Sequence, residues 1–176
     1  EGVNKIFCDA LGLINTKILI PKVNFIRKLI TYTTLENANQ VREALFQAGA
    51  GAIGNYDNCS FNTEGTFTFK GNENSNPVIG EKEKLHTGTE IKIEVVFEKH
   101  LESKILKALF ANHLYEEVAY EIYDLQNSHQ NIGLGMIGEL PTALAERDFM
   151  QFVKDKMQAN GIRHSEFLNK EIKKIA

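Results

Sequence analysis

The sequence predicts an α+β fold: a ferredoxin-like βαββαβ unit whose antiparallel sheet carries both helices on one face. Three observations carry that prediction. Over residues 89–97 apolar and charged side chains alternate, with Ile91, Ile93, Val95 and Phe97 on one side and Glu90, Lys92 and Glu94 on the other. Residues 35–48 and 101–109 repeat their apolar side chains at helical spacing instead. Strand-like segments flank these helices in the order strand, helix, strand, strand, helix, strand.

Each element has its own justification. Val3, Ile6, Phe7, Ala10 and Leu11 recur at helical spacing, and Gly12 closes that helix. Residues 25–32 are apolar and β-branched enough for a strand, despite Arg27 and Lys28. Thr33 and Glu36 stand at capping-box spacing. Leu35, Ala38, Val41, Leu45 and Ala48 line one face of the helix that follows, and Gly49 is its natural stop. Residues 61–70 read as a strand, with Gly65 marking a turn or bulge inside it. A polar stretch over 71–76 runs into Pro77 and Gly80 and forms a loop. Leu101, Ile105, Ala108 and Leu109 make the second helical face. Residues 118–125 return as the last strand of the unit, with Val118, Tyr120 and Ile122 on one side. The face of the sheet away from the helices needs a cover, and apolar residues on both sides of 118–125 point to oligomerisation through it.

Beyond this unit, 127–131 is a polar turn and 133–140 a further short strand. Thr142 is expected to cap a helix with Leu144, Phe149, Phe152, Val153 and Met157 inside, ended by Gly161. Residues 172–176 look like the opening of a strand with no partner sheet. The first helix has no cap before it, and both ends read as cut from something longer.

Composition narrows the function classes. The chain has 176 residues, 43% apolar and 24% charged, with a formal charge of −3 and a pI near 6.0. That suffices for one domain with appendages and a real core. A mildly acidic chain has no basic field for nonspecific nucleic-acid binding. No apolar run reaches the ~18–20 residues that span a bilayer, and no signal segment opens the chain. Cys8 and Cys59 make no disulfide framework, so the expected location is a reducing cytoplasm.

Three motifs could carry chemistry. Gly49, Gly51 and Gly54 follow a helix and precede a strand. A phosphate loop runs the other way, from strand into helix, so a tight turn with positive φ angles is the better reading. The corner His113-Leu114-Tyr115-Glu116-Glu117 offers an imidazole and two carboxylates for a divalent ion or acid–base work. One imidazole supplies one nitrogen ligand, however, and the spacing is not that of a helical metal motif, so a hydrogen-bonded corner is the competing reading. Cys59 has no second thiol or histidine at a characteristic offset and reads as a small core residue. His86, His100, His129 and His164 read as surface residues, and no nucleophile–base–acid set emerges for catalysis.

The ordered motifs Gly49-x-Gly51-x-Ile53-Gly54-x-Tyr56-x-x-Cys59-Ser60-Phe61, Gly65-Thr66-Phe67, Asn76-Pro77-x-Ile79-Gly80 and His113-x-Tyr115-Glu116-Glu117-x-Ala119-Tyr120 are specific together. They resemble the inserted middle domain of the dinuclear-metal family of GTP cyclohydrolase I type 2 homologues, also called NGG-interacting-factor-three-like. Gly133-x-Gly135-x-Ile137-Gly138-Glu139-Leu140 resembles the re-entry into that family's outer domain, and Gly2-Val3-Asn4 the end of its first half. Leu114 stands where the family usually has proline. The resemblance implies a division into 1–24, the end of the N-terminal part of an α/β outer domain; 25–126, a PII/CutA-like ferredoxin insert; and 127–176, the start of the C-terminal part. It implies a homo-oligomer, a trimer or a hexamer built as a dimer of trimers, with the insert as a lid over the opening. It further implies two divalent metal ions in the intact protein and a hydrolase-like activity on a small molecule. The metal ligands would lie before Gly2 and after Ala176, so no metal ligand and no catalytic residue is assigned within this chain. The binding candidates are His113, Tyr115, Glu116 and Glu117, with Tyr56 beside the glycine turn as another. A ligand-binding or assembly trimer without catalysis is the alternative.

Overall fold

The computed structural model describes residues 2–129 and 131–176. In chain order the elements are α1 (Val3–Ala10), β1 (Ile14–Pro21), β2 (Ile26–Thr33), α2 (Leu35–Gln47), β3 (Phe61–Lys70), β4 (Leu85–Glu98), a 3₁₀ turn (Lys99–Leu101), α3 (Glu102–Asn112), β5 (Tyr120–Leu125), β6 (Gly133–Ala145), α4 (Glu146–Lys156) and β7 (Glu171–Ile175). They form two units, one from Val23–Ser128 and one from Glu1–Lys22 with His129–Ala176.

In the Val23–Ser128 unit four strands pair antiparallel in the order β3-β4-β2-β5. With α2 after β2 and α3 after β4, that order is the ferredoxin-like one. Alternation decides which side is buried. Leu29 of β2 pairs with Val95 of β4 and Ile122 of β5, and on the same side of the sheet Ile91, Ile93 and Phe97 join them. Val41 and Leu45 of α2 and Ile105 and Leu109 of α3 pack there with no exposed surface. Arg27, on this side of β2, donates Nε–H to Asp124 Oδ1 at 2.7 Å and pairs with Glu102 at the start of α3. The guanidinium holds the Asp124 carboxyl below its usual range.

The opposite face mixes charged and apolar residues. Glu94 accepts from Lys28 Nζ at 2.8 Å and also pairs with Lys92, and both lower its pKa. Glu121 accepts hydroxyls from Tyr32 at 3.1 Å and Tyr123 at 3.0 Å. Between these pairs the same side carries Ile26, Ile30 and Val96, and Leu125 of the last strand, so apolar residues stand on both sides of 118–125 as expected. Ile30, flanked by Glu94 and Glu121, is the buried apolar member of that side.

Local signals fix the helix ends. Thr34, one residue later than expected, caps α2 by accepting the Asn37 N–H at 3.3 Å, while Thr33 stays fully buried in β2. At the far end Gly49 takes φ +104°, its N–H reaches Phe46 O at 2.9 Å and that of Ala50 reaches Leu45 O at 3.0 Å, a Schellman closure. No bulge occurs at Gly65: the ladder keeps one register from Phe61–Glu94 to Lys70–Leu85, with Gly65 opposite Glu90. Cys59 is half-buried rather than a core residue; the buried thiol is Cys8.

The second unit holds a three-stranded antiparallel sheet in the order β1-β6-β7, with α1 and α4. Several features here differ from the sequence reading. Residues 14–21 form β1, which short alternation did not reveal. Thr142 lies inside β6, because that strand runs to Ala145 to pair with β7 (Leu144 with Ile172, Ala145 with Glu171), and α4 starts after it. The terminal segment therefore has a partner strand. α4 ends at Lys156, before Gly161, with Gln158 taking the left-handed turn at φ +52°. Val3, Ile6 and Phe7 of α1 are exposed, so that apolar stripe is not buried within the described residues.

Leu45 tests the core. Leu45→Ala should lower the unfolding free energy by about 2–5 kcal/mol, the usual cost of a buried leucine cavity. Leu35→Ala, on the same helix but 66% exposed, should change it by less than about 0.5 kcal/mol. Urea titration of both variants against the parent measures the difference.

Candidate functional site

β2 last pairs with β4 at Thr33–Ile91, so β3 and β4 continue past residues 65 and 90 as a two-stranded arm. Phe67 and Phe69 stack along the arm with ring centroids 5.9 Å apart, and His86 leans on both. The 71–84 loop joins the strands and folds on itself: Ser75 Oγ donates to Asn72 O at 2.7 Å, and the Glu83 N–H to Gly71 O at 2.8 Å. Glu116, on the corner after α3, accepts the Asn76 N–H at 2.7 Å and ties the loop to that corner. Arm, loop and corner enclose a cleft of about 630 Å³, with Tyr32 and Glu90 also in its lining.

The corner is organised by His113, which follows the last turn of α3 in an extended conformation. Its Nε2 lies 2.9 Å from Tyr32 O, and its Nδ1 accepts the Tyr115 N–H at 3.1 Å. A carbonyl needs a donor and an amide needs an acceptor, so the ring is the neutral Nε2–H tautomer. Burial pushes its pKa down, opposed in part by the Tyr32 hydrogen bond and the Glu90 charge. Tyr115 then reaches Glu90 and donates its hydroxyl to Oε1 at 2.7 Å. Burial first, and then Glu90, raise the phenol pKa, so Tyr115 stays a donor. Glu90 itself is only 7% exposed.

Of the residues nominated from sequence, the cleft gathers Tyr115, Glu116 and Glu117. His113 is not in its lining; it stands behind Tyr115 and fixes the backbone there. Tyr56 is elsewhere, 74% exposed in the glycine turn, where its backbone bonds reciprocally with Ile53 at 2.8 and 3.0 Å. That turn uses its own amides: the Gly51 N–H reaches Val96 O at 2.7 Å, and Gly51 O accepts from Cys59 at 2.8 Å. Gly51 has φ +84°, and a Cβ there would lie 2.9 Å from Cys59 backbone atoms. Sequence reasoning missed Tyr32, Phe67, Phe69 and Glu90. Phe67 and Phe69 do share one face of a strand, a visible signal, but nothing in the sequence marks the arm as projecting.

The sequence profile of the family described as Duf34/NIF3 (NGG1p interacting factor 3) matches residues 1–176. The chain belongs to that family. It is 39% identical over 176 residues to the GTP cyclohydrolase 1 type 2 homolog of Bacillus subtilis (strain 168), covering 99% of this chain and 47% of that protein. The homolog from Halalkalibacterium halodurans matches with the same identity and the same coverage of each chain. Among solved structures, a Bacillus cereus protein related to NIF3 superimposes with a TM-score of 0.81 at 37% identity, covering 98% of this chain and 46% of that one. The chain thus spans about half the length of the curated relatives it matches.

The donors in this half do not fit the two-ion centre that the family resemblance implies. Among the described residues no three His, Cys, Asp or Glu side chains group as a ligand set. At the corner, both His113 nitrogens are engaged by backbone and one Glu116 oxygen holds Asn76. Nor, among the described residues, is any helix long and apolar enough to cross a membrane.

The lowered pKa of His113 has a signed consequence. The unfolded chain takes up this proton before the native chain does, so native stability falls as pH drops below about 6.5, the unperturbed histidine value. His113→Gln keeps a donor and an acceptor but does not titrate, and should flatten that part of the pH dependence. Urea midpoints at pH 5, 6, 7 and 8 compare the slopes.

Proposed function

We propose that this chain forms the lid and assembly portion of a longer, hydrolase-like protein whose two divalent ions are held by stretches outside residues 1–176. The supporting observation is the way the ferredoxin-like unit is inserted. The unit Val23–Ser128 interrupts a second unit built from both flanking segments. The chain leaves and re-enters that second unit at one point, where the Lys22 N–H bonds Ile132 O at 2.8 Å and Lys22 O accepts from His129 at 2.9 Å. The uncovered sheet face, with its paired Lys28, Glu94 and Lys92 and its tyrosines, is the surface for threefold self-association in a reducing cytoplasm. Interfaces of this polar kind keep ordered water and rely on complementary charge.

Sedimentation equilibrium of this chain should give a trimer at micromolar concentration, weakening as salt screens the face. A monomer would overturn the assembly role. Metal analysis should find close to two divalent ions per chain in a full-length relative and no stoichiometric pair on residues 1–176. Two tightly bound ions here would mean that the ligands are misassigned.

A second reading, a trimeric ligand-binding module without catalysis, is favoured by the cleft. In it Tyr115, Glu116 and Glu117 are the ligand-contacting side chains, and His113 positions Tyr115.

A further inference from the structure

We propose that the cleft between the β3–β4 arm and the His113–Glu117 corner binds a small organic cation, a protonated amine carried on an apolar or aromatic body. The inference deepens the ligand-binding reading and rests on it. It starts from Glu90. Among the described residues, only Oε1 of this buried carboxylate has a hydrogen-bond partner, the Tyr115 hydroxyl. Among the described residues no buried side-chain oxygen lacks both a partner and solvent contact. Oε2 therefore faces open space, and the space that Glu90 lines is the cleft.

The surroundings choose the sign of the ligand. Glu116 and Glu117 line the same cleft. Its one basic lining side chain, Lys70, lies 3.3 Å from Glu83, which offsets its charge. An anion would meet three carboxylates, whereas a neutral ligand without donors would leave Oε2 of Glu90 unpaired on desolvation. An ammonium group satisfies it with a charge-assisted hydrogen bond. The walls suit the rest of such a molecule. Phe67 and Phe69 are stacked on the arm and Tyr115 stands on the corner, and aromatic faces attract cations as well as apolar bodies. A cleft of about 630 Å³ is within the range that takes small molecules.

The test uses this 176-residue chain with three probes of one shape: benzylammonium, benzyl alcohol and benzoate. Titration followed by amide chemical shifts should show saturable binding of benzylammonium, with shifts at Phe67, Asn76 and Tyr115. Its affinity should exceed that of the other two by about tenfold or more, the worth of a charge-assisted hydrogen bond. Glu90→Gln, which still accepts from Tyr115, should erase most of that preference. Glu117→Gln, on the exposed rim, should reduce it several-fold and reads the charge even if the Glu90 variant does not fold. Equal or tighter binding of benzyl alcohol or benzoate in the cleft would overturn the cation assignment while leaving a ligand site. No saturable binding of any probe there would overturn both.

Discussion

The sidedness of β2 governs the Val23–Ser128 unit. This strand lies between β4 and β5, so its residues from Ile26 to Thr31 are fixed by two ladders at once. Burying Leu29 against Val95, Ile122 and the faces of α2 and α3 places Lys28, Ile30 and Tyr32 on the opposite side. A slip of one residue would put Lys28 and Tyr32 among leucines and leave Leu29 in water. The same alternation along β4 sends Glu90, Lys92 and Glu94 to the uncovered face. The helix-covered core and the charged face are therefore two results of one register.

The cleft follows from where that register stops. The β5 ladder stops level with Ile93 and β2 level with Ile91, and the longer β3 and β4 run on alone. A two-stranded ribbon has little stability by itself, and here the corner after α3 supports it. His113 sets the corner through Tyr32 O and the Tyr115 amide, and Tyr115 and Glu116 reach from it to Glu90 and Asn76. The contact with the loop is made by a carboxylate on a backbone amide, which holds the loop through polar groups and leaves the space between open.

The unit built from the flanking segments has a thinner interior. Its buried apolar residues among those described are Cys8, Leu11 and Leu140, while Val3, Ile6, Phe7, Ile20 and Leu134 remain exposed. The Val23–Ser128 unit, with two amphipathic helices over four strands, buries far more.

Periodicity alone was enough to read the ferredoxin-like order, because both helices and the alternating strand bury one face, and burial of a face is written as spacing. The ordered glycine, proline and tyrosine motifs also sufficed to recognise the family. Where local and distant preferences competed, tertiary pairing decided. Thr142 has the chemistry of a helix cap, but β6 passes through it because β7 offers a ladder; 172–176 becomes a strand for the same reason. The site was legible in part. Tyr115, Glu116 and Glu117 were visible as a polar group at an element end. Glu90 looked like any outward residue of an amphipathic strand, and only the fold brings it beneath Tyr115, 25 residues away in sequence. Spacing along a chain encodes which face a side chain takes, whereas the cleft depends on how far β3 and β4 outrun their neighbours and where the corner then lies, and those are set by long-range packing.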